Sequence, residues 1–270
     1  MSGLTIRIAA AQMASITAET VANLSAAKTI VIEAGRAGVN LVVFPELFTS
    51  GYNAGAKFCE LAEPLDGQSF QFMSTLAAQH NIALCYGYPE RLGDQIFNSA
   101  QFIDDKGSRL INHRKTHLYG DYEKQWFASG DEHISSVSYR GFTLSTLICY
   151  EIEFPELARA NAQSGANIIL VPTATTEANN PEQVAQLLVR ARAAENNVYV
   201  VYVNHAAGEE HMSFNGRSLI AGPFGKVYVS SDNSKAGLIY ADIHASQIDQ
   251  SAGTNPYLLD LRSDLFVLRA

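Results

Sequence analysis

The chain alternates short apolar runs with longer segments of helical periodicity, and this alternation predicts an α/β fold. Residues 5–12 and 41–44 are short apolar runs, and Pro45 ends the second. Between them, residues 19–37 carry apolar side chains at helical spacing, and Gly38 follows the last of them. Parallel strands are buried on both faces, so they read as continuous apolar runs. This first part of the chain therefore predicts a β–α–β unit.

The same alternation continues towards the end of the chain. Further helices are predicted at residues 70–80, 154–163 and 181–197. Further strands are predicted at residues 82–88, 98–103, 108–112, 142–149, 167–171, 198–204, 217–221 and 237–241. Asp104-Asp105-Lys106-Gly107 is typical of a hairpin turn between two of these strands. Because no linker, low-complexity segment or repeat interrupts the pattern, we predict one domain covering residues 1–270.

The composition is typical of a folded globular protein, with 47% hydrophobic and 17% charged residues. The formal net charge of −8 argues against a nucleic-acid partner or an anionic membrane, because either requires a basic surface. The three widely spaced cysteines, Cys59, Cys85 and Cys149, indicate no disulfide framework and favour a reducing compartment. Residues 1–11 lack a signal-peptide pattern, and no apolar run approaches the roughly 20 residues of a membrane helix. We therefore expect a cytoplasmic protein.

Three reactive side chains, Glu46, Lys115 and Cys149, follow or close predicted strands. Sites in open α/β sheets form beyond the carboxyl ends of the strands, so these side chains could converge on one cleft. A thiol needs a neighbouring base or cation to become a thiolate, and Glu46 could take its proton and later pass it to a leaving amine. Lys115 and the backbone N–H of Tyr150 could stabilise an oxyanion, a contribution of about 3–4 kcal/mol per donor.

Each of these residues also has a purely structural interpretation. A cysteine on an apolar strand is usually inert core, and a glutamate or lysine after a strand is usually solvated. His113 and His117, with Glu123 nearby, have the spacing of helical metal ligands, so a metal-binding protein is an alternative from a different class. A dinucleotide-binding module is disfavoured, because no Gly-x-Gly-x-x-Gly follows the first predicted strand.

Three sequence blocks around the reactive residues carry a stronger signal. They read Phe44-Pro45-Glu46-Leu47-Phe48, then Arg114-Lys115-Thr116-His117-Leu118-Tyr119-Gly120, then Cys149-Tyr150-Glu151-Ile152-Glu153-Phe154-Pro155-Glu156. Further matching segments are Pro172-Thr173, Ala191-Arg192-Ala193-Ala194-Glu195-Asn196 and Leu261-Arg262-Ser263-Asp264-Leu265. Together these blocks resemble the nitrilase, or carbon–nitrogen hydrolase, superfamily, in family order and across essentially the whole chain.

The resemblance implies a four-layer α-β-β-α sandwich, usually dimerised through helices, so a homodimer or higher homo-oligomer is expected. It implies a catalytic triad formed here by Glu46, Lys115 and Cys149, with an oxyanion donor at the backbone of Tyr150. A second family glutamate falls at Glu123, where it would orient the substrate amide or the lysine. The implied partner is a small-molecule amide substrate, and neither a metal nor an organic cofactor is expected.

The residues after the cysteine favour one branch of the superfamily. Nitrilases typically have Trp-Glu at this place, whereas Cys149 is followed by Tyr150-Glu151, which looks like the amidase branches and most resembles bacterial aliphatic amidases. The expected activity is hydrolysis of a small, aliphatic carboxamide to a carboxylate and ammonia through a cysteine thioester. A nitrilase, an ω-amidase and a carbamoyl-amide hydrolase of the same superfamily are the alternatives.

Several residues near the strand ends are candidates for the substrate pocket. Tyr52 and Tyr119 could supply apolar walls with polar ends, although an interpretation as core tyrosines is equally open. Thr173 follows a predicted strand that ends at Pro172, so it could reach the cleft. His205 is similarly placed, but it is interpreted as structural because the triad already contains a base.

Overall fold

Two six-stranded sheets form the centre of the molecule. The computed structural model describes residues 3–179, 181–209, 212–231 and 234–265. The strands are β1 (Thr5–Gln12), β2 (Leu41–Val43), β3 (Ala83–Leu92), β4 (Gln95–Ile103), β5 (Arg109–Arg114), β6 (Ser136–Tyr139), β7 (Phe142–Thr146), β8 (Ile168–Pro172), β9 (Tyr199–Val203), β10 (Gly208–Glu209), β11 (Met212–Ser213), β12 (Leu219–Ala221), β13 (Val227–Ser230) and β14 (Gly237–His244). The helices are α1 (Thr20–Arg36), α2 (Phe58–Leu61), α3 (Gln68–His80), α4 (Gly120–Trp126), α5 (Pro155–Gln163), α6 (Pro181–Gln183), α7 (Val189–Glu195), α8 (Ala245–Thr254) and α9 (Tyr257–Asp260). Between α6 and α7 the chain forms a π-helical turn, Val184–Leu188, and short 3₁₀ turns occur at Gly55–Lys57, Cys149–Glu153, Glu177–Asn179 and Ser263–Leu265.

The two sheets have similar topologies. The strand order is β14-β1-β2-β3-β4-β5 in the first sheet and β13-β12-β9-β8-β7-β6 in the second. Strands β1, β2 and β3 are parallel, as are β7, β8 and β9. Because β4 pairs antiparallel with both β3 and β5, β5 runs in the same direction as β2. Strands β2 and β5 therefore end at the same edge of the first sheet, which places Glu46 and Lys115 there.

Successive side chains along the central strands point into different layers, because the side-chain period of a strand is two. On β1, Ile6 packs between the two sheets, whereas Ala9 packs with residues of α1 and α3. On β8, Ile168 packs between the sheets, whereas Ile169 packs with residues of α5 and α7. The layers are therefore helix, sheet, sheet and helix. The predicted four-layer α-β-β-α sandwich is confirmed.

Most predicted elements are present within a few residues of their predicted bounds, including the hairpin between β4 and β5. The strand predicted at residues 142–149 is too long, because β7 ends at Thr146 and Cys149 instead begins the Cys149–Glu153 turn. The helix predicted at residues 181–197 is divided by the π-helical turn. Helix α8 was not predicted, because Ile248 is its only large apolar residue and gives too little periodicity. Among the described helices, none combines the length and apolar character needed to cross a membrane.

Candidate active site

A buried lysine joins two carboxylates at the edge where β2 and β5 end. Lys115 Nζ lies 2.6 Å from Oε1 of Glu46 and 2.7 Å from Oε1 of Glu123. All three side chains are fully buried. The Tyr52 hydroxyl donates to Oε1 of Glu123 at 2.8 Å, and the backbone N–H of Tyr119 donates to Oε2 at 2.8 Å. The structure thus brings Glu123, which the sequence placed only by resemblance, into direct contact with the lysine.

The Glu46 side chain is held by residues on neighbouring strands and loops. Asn98 on β4 donates from Nδ2 to Oε1 at 2.7 Å, and Nε2 of His205 lies 2.6 Å from the Glu46 carbonyl oxygen. Leu47 has a left-handed φ of 47°, and Gly87 on β3 packs so closely that a Cβ there would lie 2.8 Å from the Glu46 Cα. Oε2 of Glu46 is buried and accepts no hydrogen bond from the part of the chain that the structure describes. That oxygen is therefore available to take a proton.

Cys149 lies on a sharp turn immediately after the second sheet. Its φ is 50°, a left-handed conformation that is uncommon for a residue with a side chain and that its surroundings must impose. The Glu151 carboxylate helps to impose it, because Oε2 accepts the backbone N–H of Ile148 at 2.7 Å. Tyr150 is the second residue of this turn, where backbone N–H groups have no acceptor within the helix. Its N–H is thus free of the helical hydrogen-bond ladder beside the cysteine.

The same Glu151 carboxylate also binds the segment that contains Lys115. Its Oε1 accepts the backbone N–H of Thr116 at 2.8 Å and the Thr116 hydroxyl at 2.6 Å, and Oε2 lies 2.8 Å from Nε2 of His113. Burial disfavours the charged carboxylate, but His113 and Thr116 outweigh it and lower the pKa of Glu151 to about 2. A carboxylate that stays charged near neutral pH therefore joins the segment that contains Lys115 to the turn that contains Cys149.

Burial and neighbouring charges shift the pKa values of Glu46, Lys115 and Cys149. Burial raises the pKa of Glu46 to about 7, although Lys115 opposes this rise. Burial alone would lower the pKa of Lys115, but the Glu123 and Glu46 carboxylates raise it above its ordinary value. Burial and the charge of Glu46 raise the pKa of Cys149 well above its ordinary value, while Lys115 lowers it. The resting cysteine is therefore a thiol beside a carboxylate that can accept a proton near neutral pH.

The segment after β8 brings a threonine next to the cysteine. Thr173 is fully buried, and its hydroxyl donates to the Val171 carbonyl oxygen at 3.0 Å. Its role in substrate binding stays a prediction. Two residues further, Oγ1 of Thr175 lies 3.8 Å from Sγ of Cys149.

A cavity of about 620 Å³ opens beside these residues. Its wall includes the predicted residues Tyr52 and Tyr119, together with Asp121, Glu177 and Met212. Ala174 also lines the cavity, and its backbone forms a hydrogen bond with Cys149, so the cavity lies next to a residue in contact with the cysteine. The lining residues that the structure describes include two carboxylates and no lysine or arginine.

The structure does not support a helical metal site at His113 and His117. His113 lies on β5, and its ring is buried against Glu151, whereas the His117 ring packs 4.5 Å from that of Phe154. The two histidines therefore do not occupy one face of a helix. No cluster of three or more histidine, cysteine, aspartate or glutamate residues suited to a metal occurs among the described residues.

Comparison with known proteins agrees with this geometry. The family model for carbon–nitrogen hydrolases matches residues 7–252. The chain belongs to this family. The predicted superfamily is therefore confirmed, and with it the class of reaction, hydrolysis of a carbon–nitrogen bond.

The relatives of this hydrolase match it over nearly its whole length. A Pseudomonas protegens protein named as the hydrolase in the pqqF 5′ region is 40% identical, over 97% of this chain and 91% of its own. An (R)-stereoselective amidase of a Pseudomonas species is 33% identical, over 95% of this chain and 92% of its own. An amidase from Nesterenkonia sp. with a known crystal structure is 30% identical in sequence, and the two structures match with a TM-score of 0.88 over 98% of this chain and 96% of that one. Structures of two mutants of that amidase show, in one, a complex with butyramide and, in the other, covalent addition of the acetamide moiety of fluoroacetamide at the active-site cysteine.

Sequence reasoning on the hydrolase missed three residues that the structure places around the reactive groups. Asn98 gave a signal, because an amide within a buried strand needs a partner, here Glu46. Glu151 was noted only as part of a motif, and nothing local reveals that it binds two separate segments. Thr175 gave no signal, because a threonine after a strand is common.

Proposed function

We propose that this hydrolase cleaves the carbon–nitrogen bond of a small aliphatic carboxamide, releasing a carboxylate and ammonia through a thioester on Cys149. The observation that carries the proposal is the buried Lys115, bonded to both Glu46 and Glu123 beside a strained cysteine turn. A buried set of one cation and two carboxylates has a high cost in stability, so it is more typical of a catalytic site than of a core.

The first step is attack by the cysteine on the amide carbonyl. Glu46 takes the thiol proton, for which the unbonded oxygen Oε2 and a pKa of about 7 suit it. The thiolate of Cys149 then adds to the carbonyl carbon. The oxyanion that forms is stabilised by the charge of Lys115 and the backbone N–H of Tyr150.

The second half of the reaction releases both products. The tetrahedral intermediate collapses to a thioester on Cys149, and ammonia leaves with the proton that Glu46 held. Glu46 then accepts a proton from water, which attacks the thioester and regenerates the thiol and a carboxylate. Glu123 acts by holding Lys115 and by presenting its carboxylate to the amide nitrogen. Its contacts with Tyr52 and the backbone of Tyr119 fix that carboxylate in place.

The cavity favours a short substrate without a distal carboxylate. Asp121 and Glu177 lie at its wall, and no cation among the described lining residues would pair with a second acidic group. An ω-amide of a dicarboxylic acid would place its carboxylate near these two, and juxtaposed like charges cost binding energy. The similarity to an amidase of which one mutant binds butyramide and another carries the acetamide moiety of fluoroacetamide supports a short aliphatic amide.

Four compounds of related size test the proposal by ammonia release: butyramide, succinamate, butyronitrile and N-carbamoylglycine. We expect butyramide to be hydrolysed with a kcat/KM at least about 10-fold above that of succinamate, because about 1.4 kcal/mol of repulsion between the succinamate carboxylate and the cavity wall gives a factor of ten. We expect no turnover of butyronitrile. Cys149→Ala should remove turnover and keep the thermal unfolding midpoint of the wild type. Full ammonia release by that variant would contradict the mechanism.

A double variant of two residues at the cavity wall tests the substrate class separately. Asp121→Asn combined with Glu177→Gln should raise kcat/KM for succinamate and leave that for butyramide nearly unchanged, because only the charge at the cavity wall differs. Faster turnover of succinamate than of butyramide by the wild-type enzyme would instead identify an ω-amidase, and turnover of the nitrile a nitrilase. The homodimer implied by the family and the expected independence from metals and organic cofactors stay predictions, which sedimentation and metal analysis of the active enzyme would test.

A further inference from the structure

Thr175 lies against the sulfur of Cys149 and is itself held firmly. Its Oγ1 is 3.8 Å from Sγ, within reach of a hydrogen bond to sulfur. The Asn204 side chain holds its backbone on both sides, accepting the Thr175 N–H at 2.9 Å and donating to the Thr175 carbonyl oxygen at 3.0 Å. The threonine is thus positioned by a residue on a different strand end, as expected of a group whose location matters.

A second hydroxyl lies against that of Thr175. The Tyr202 hydroxyl lies 2.9 Å from Thr175 Oγ1 and is buried inside the second sheet. Burial raises the pKa of Tyr202 well above its ordinary value, so it keeps its proton. Because each hydroxyl has one proton, a hydrogen bond from Tyr202 to Thr175 leaves the Thr175 proton free to point at the sulfur.

We propose that Thr175 is a catalytic residue that donates a hydrogen bond to the Cys149 thiolate, with Tyr202 holding its hydroxyl in the donating direction. The proposal rests on the proposed role of Cys149 as nucleophile. Before reaction the Tyr202 hydroxyl donates to Thr175 Oγ1 and the Thr175 hydroxyl donates to the sulfur, which leaves the S–H proton free for Glu46. When the thiol proton moves to Glu46, the same hydrogen bond from Thr175 meets the new negative charge and becomes stronger. Each hydroxyl keeps its own proton throughout.

A hydrogen bond from Thr175 would stabilise a negative charge on the sulfur that most of the surroundings disfavour. Burial and the charges of Glu46 and Glu123 all disfavour a negative sulfur, whereas the charge of Lys115 and a hydrogen bond from the backbone of Ala174 favour it. Lys115 is itself shared between two carboxylates, so part of its charge is already compensated. Three tyrosines, Tyr52, Tyr119 and Tyr202, also interact with the sulfur, and the negative charge of a thiolate raises the pKa of each, so they stay neutral and add no charge to the site. A neutral donor in contact with Sγ stabilises the thiolate without adding charge to a buried site.

The test measures the reactivity of the sulfur directly, without turnover. Iodoacetamide alkylates thiolates, so its rate at the Cys149 peptide, followed by mass spectrometry at fixed pH values from 5 to 10, reports how much thiolate the coupled site forms at each pH. We expect Thr175→Val to lower that rate about tenfold at each pH, because a hydrogen bond to a charged group is lost. Thr175→Ser keeps the hydroxyl and should stay within about twofold of the wild type. Tyr202→Phe should lower the curve of rate against pH in the same direction as Thr175→Val, by a smaller amount.

The two threonine variants separate a chemical role from packing. Valine keeps the shape of threonine and loses the hydroxyl, whereas serine keeps the hydroxyl and loses a methyl group. If Thr175 only filled space, serine would be the damaging variant and valine would match the wild type, and this result would overturn the proposal. A Tyr202→Phe curve that coincides with the wild type would remove the orienting role of Tyr202, even if Thr175→Val did not fold. Absence of ammonia release by a wild-type enzyme that is still alkylated normally would overturn the proposed function instead.

Discussion

The placement of Glu46 depends on a glycine in the neighbouring strand, and this dependence gives a direct prediction. A Cβ added at Gly87 on β3 would lie 2.8 Å from Cα and C of Glu46 and closer still to the backbone nitrogen of Leu47. Ordinary contacts of a Cβ begin at about 3.4 Å, so Gly87→Ala must move the Glu46 backbone by about 0.6 Å or more. The atoms in conflict are backbone atoms of a turn, so a side-chain rotation cannot relieve the contact.

A displacement of this size should reduce catalysis much more than it reduces stability. Misplacing a catalytic group by about 1 Å costs on the order of 100-fold, so we expect kcat/KM for butyramide to fall about 10- to 100-fold in Gly87→Ala. Overpacking a core typically costs about 1–3 kcal/mol, which should lower the thermal unfolding midpoint by several degrees and leave the enzyme folded at 20 °C. Steady-state ammonia release at 20 °C and a thermal melt measure the two effects separately.

Gly253 provides the matched control. A Cβ there meets no atom within 4 Å among the described residues, and Gly253 lies on α8, away from the site. Gly253→Ala should therefore keep the wild-type kcat/KM and melt at the same temperature or slightly higher, because alanine favours a helix. If Gly87→Ala retained kcat/KM within about threefold of the wild type, the fixed position of Glu46 would not limit the reaction, and the reasoning would be refuted.

Three further predictions concern the charges of the site. Glu46 must be ionised to accept the thiol proton and its pKa is raised to about 7, so kcat/KM should fall about tenfold per pH unit well below pH 7; a rate independent of pH from 5 to 7 would contradict its role as base. Asn98 donates to Glu46 and lowers its pKa, so Asn98→Ala should move this acid limb to higher pH, as the same pH–rate profile would show. Glu151→Gln puts an amide donor against the groups that now donate to Glu151, so kcat/KM should fall more than about tenfold. The free energy of unfolding, measured with urea, should fall by about 3–5 kcal/mol. Glu151→Asp keeps a carboxylate and should lose less activity and less stability.

Much of the fold could be predicted from the sequence, because the central strands are apolar at nearly every position. A strand that is buried on both faces, such as β8, consists of apolar residues throughout, so a continuous apolar run in the sequence predicts where it lies. Elements with weaker patterns were missed. Helix α4 has seven residues and buries Glu123 rather than an apolar stripe, so hydrophobic periodicity does not reveal it.

The sequence by itself also singled out the candidate reactive residues, because the blocks that resemble the family contain Glu46, Lys115 and Cys149 with their neighbours. What only the tertiary structure decided is how they meet. Contacts such as that of Lys115 with Glu123 depend on which strands share an edge, and sheet order is set by packing among distant segments rather than by local sequence. The position of Thr175 beside the sulfur has the same origin, because its backbone is held by Asn204 at the end of another strand, whereas the Thr173 hydroxyl bonds to the backbone of its own strand.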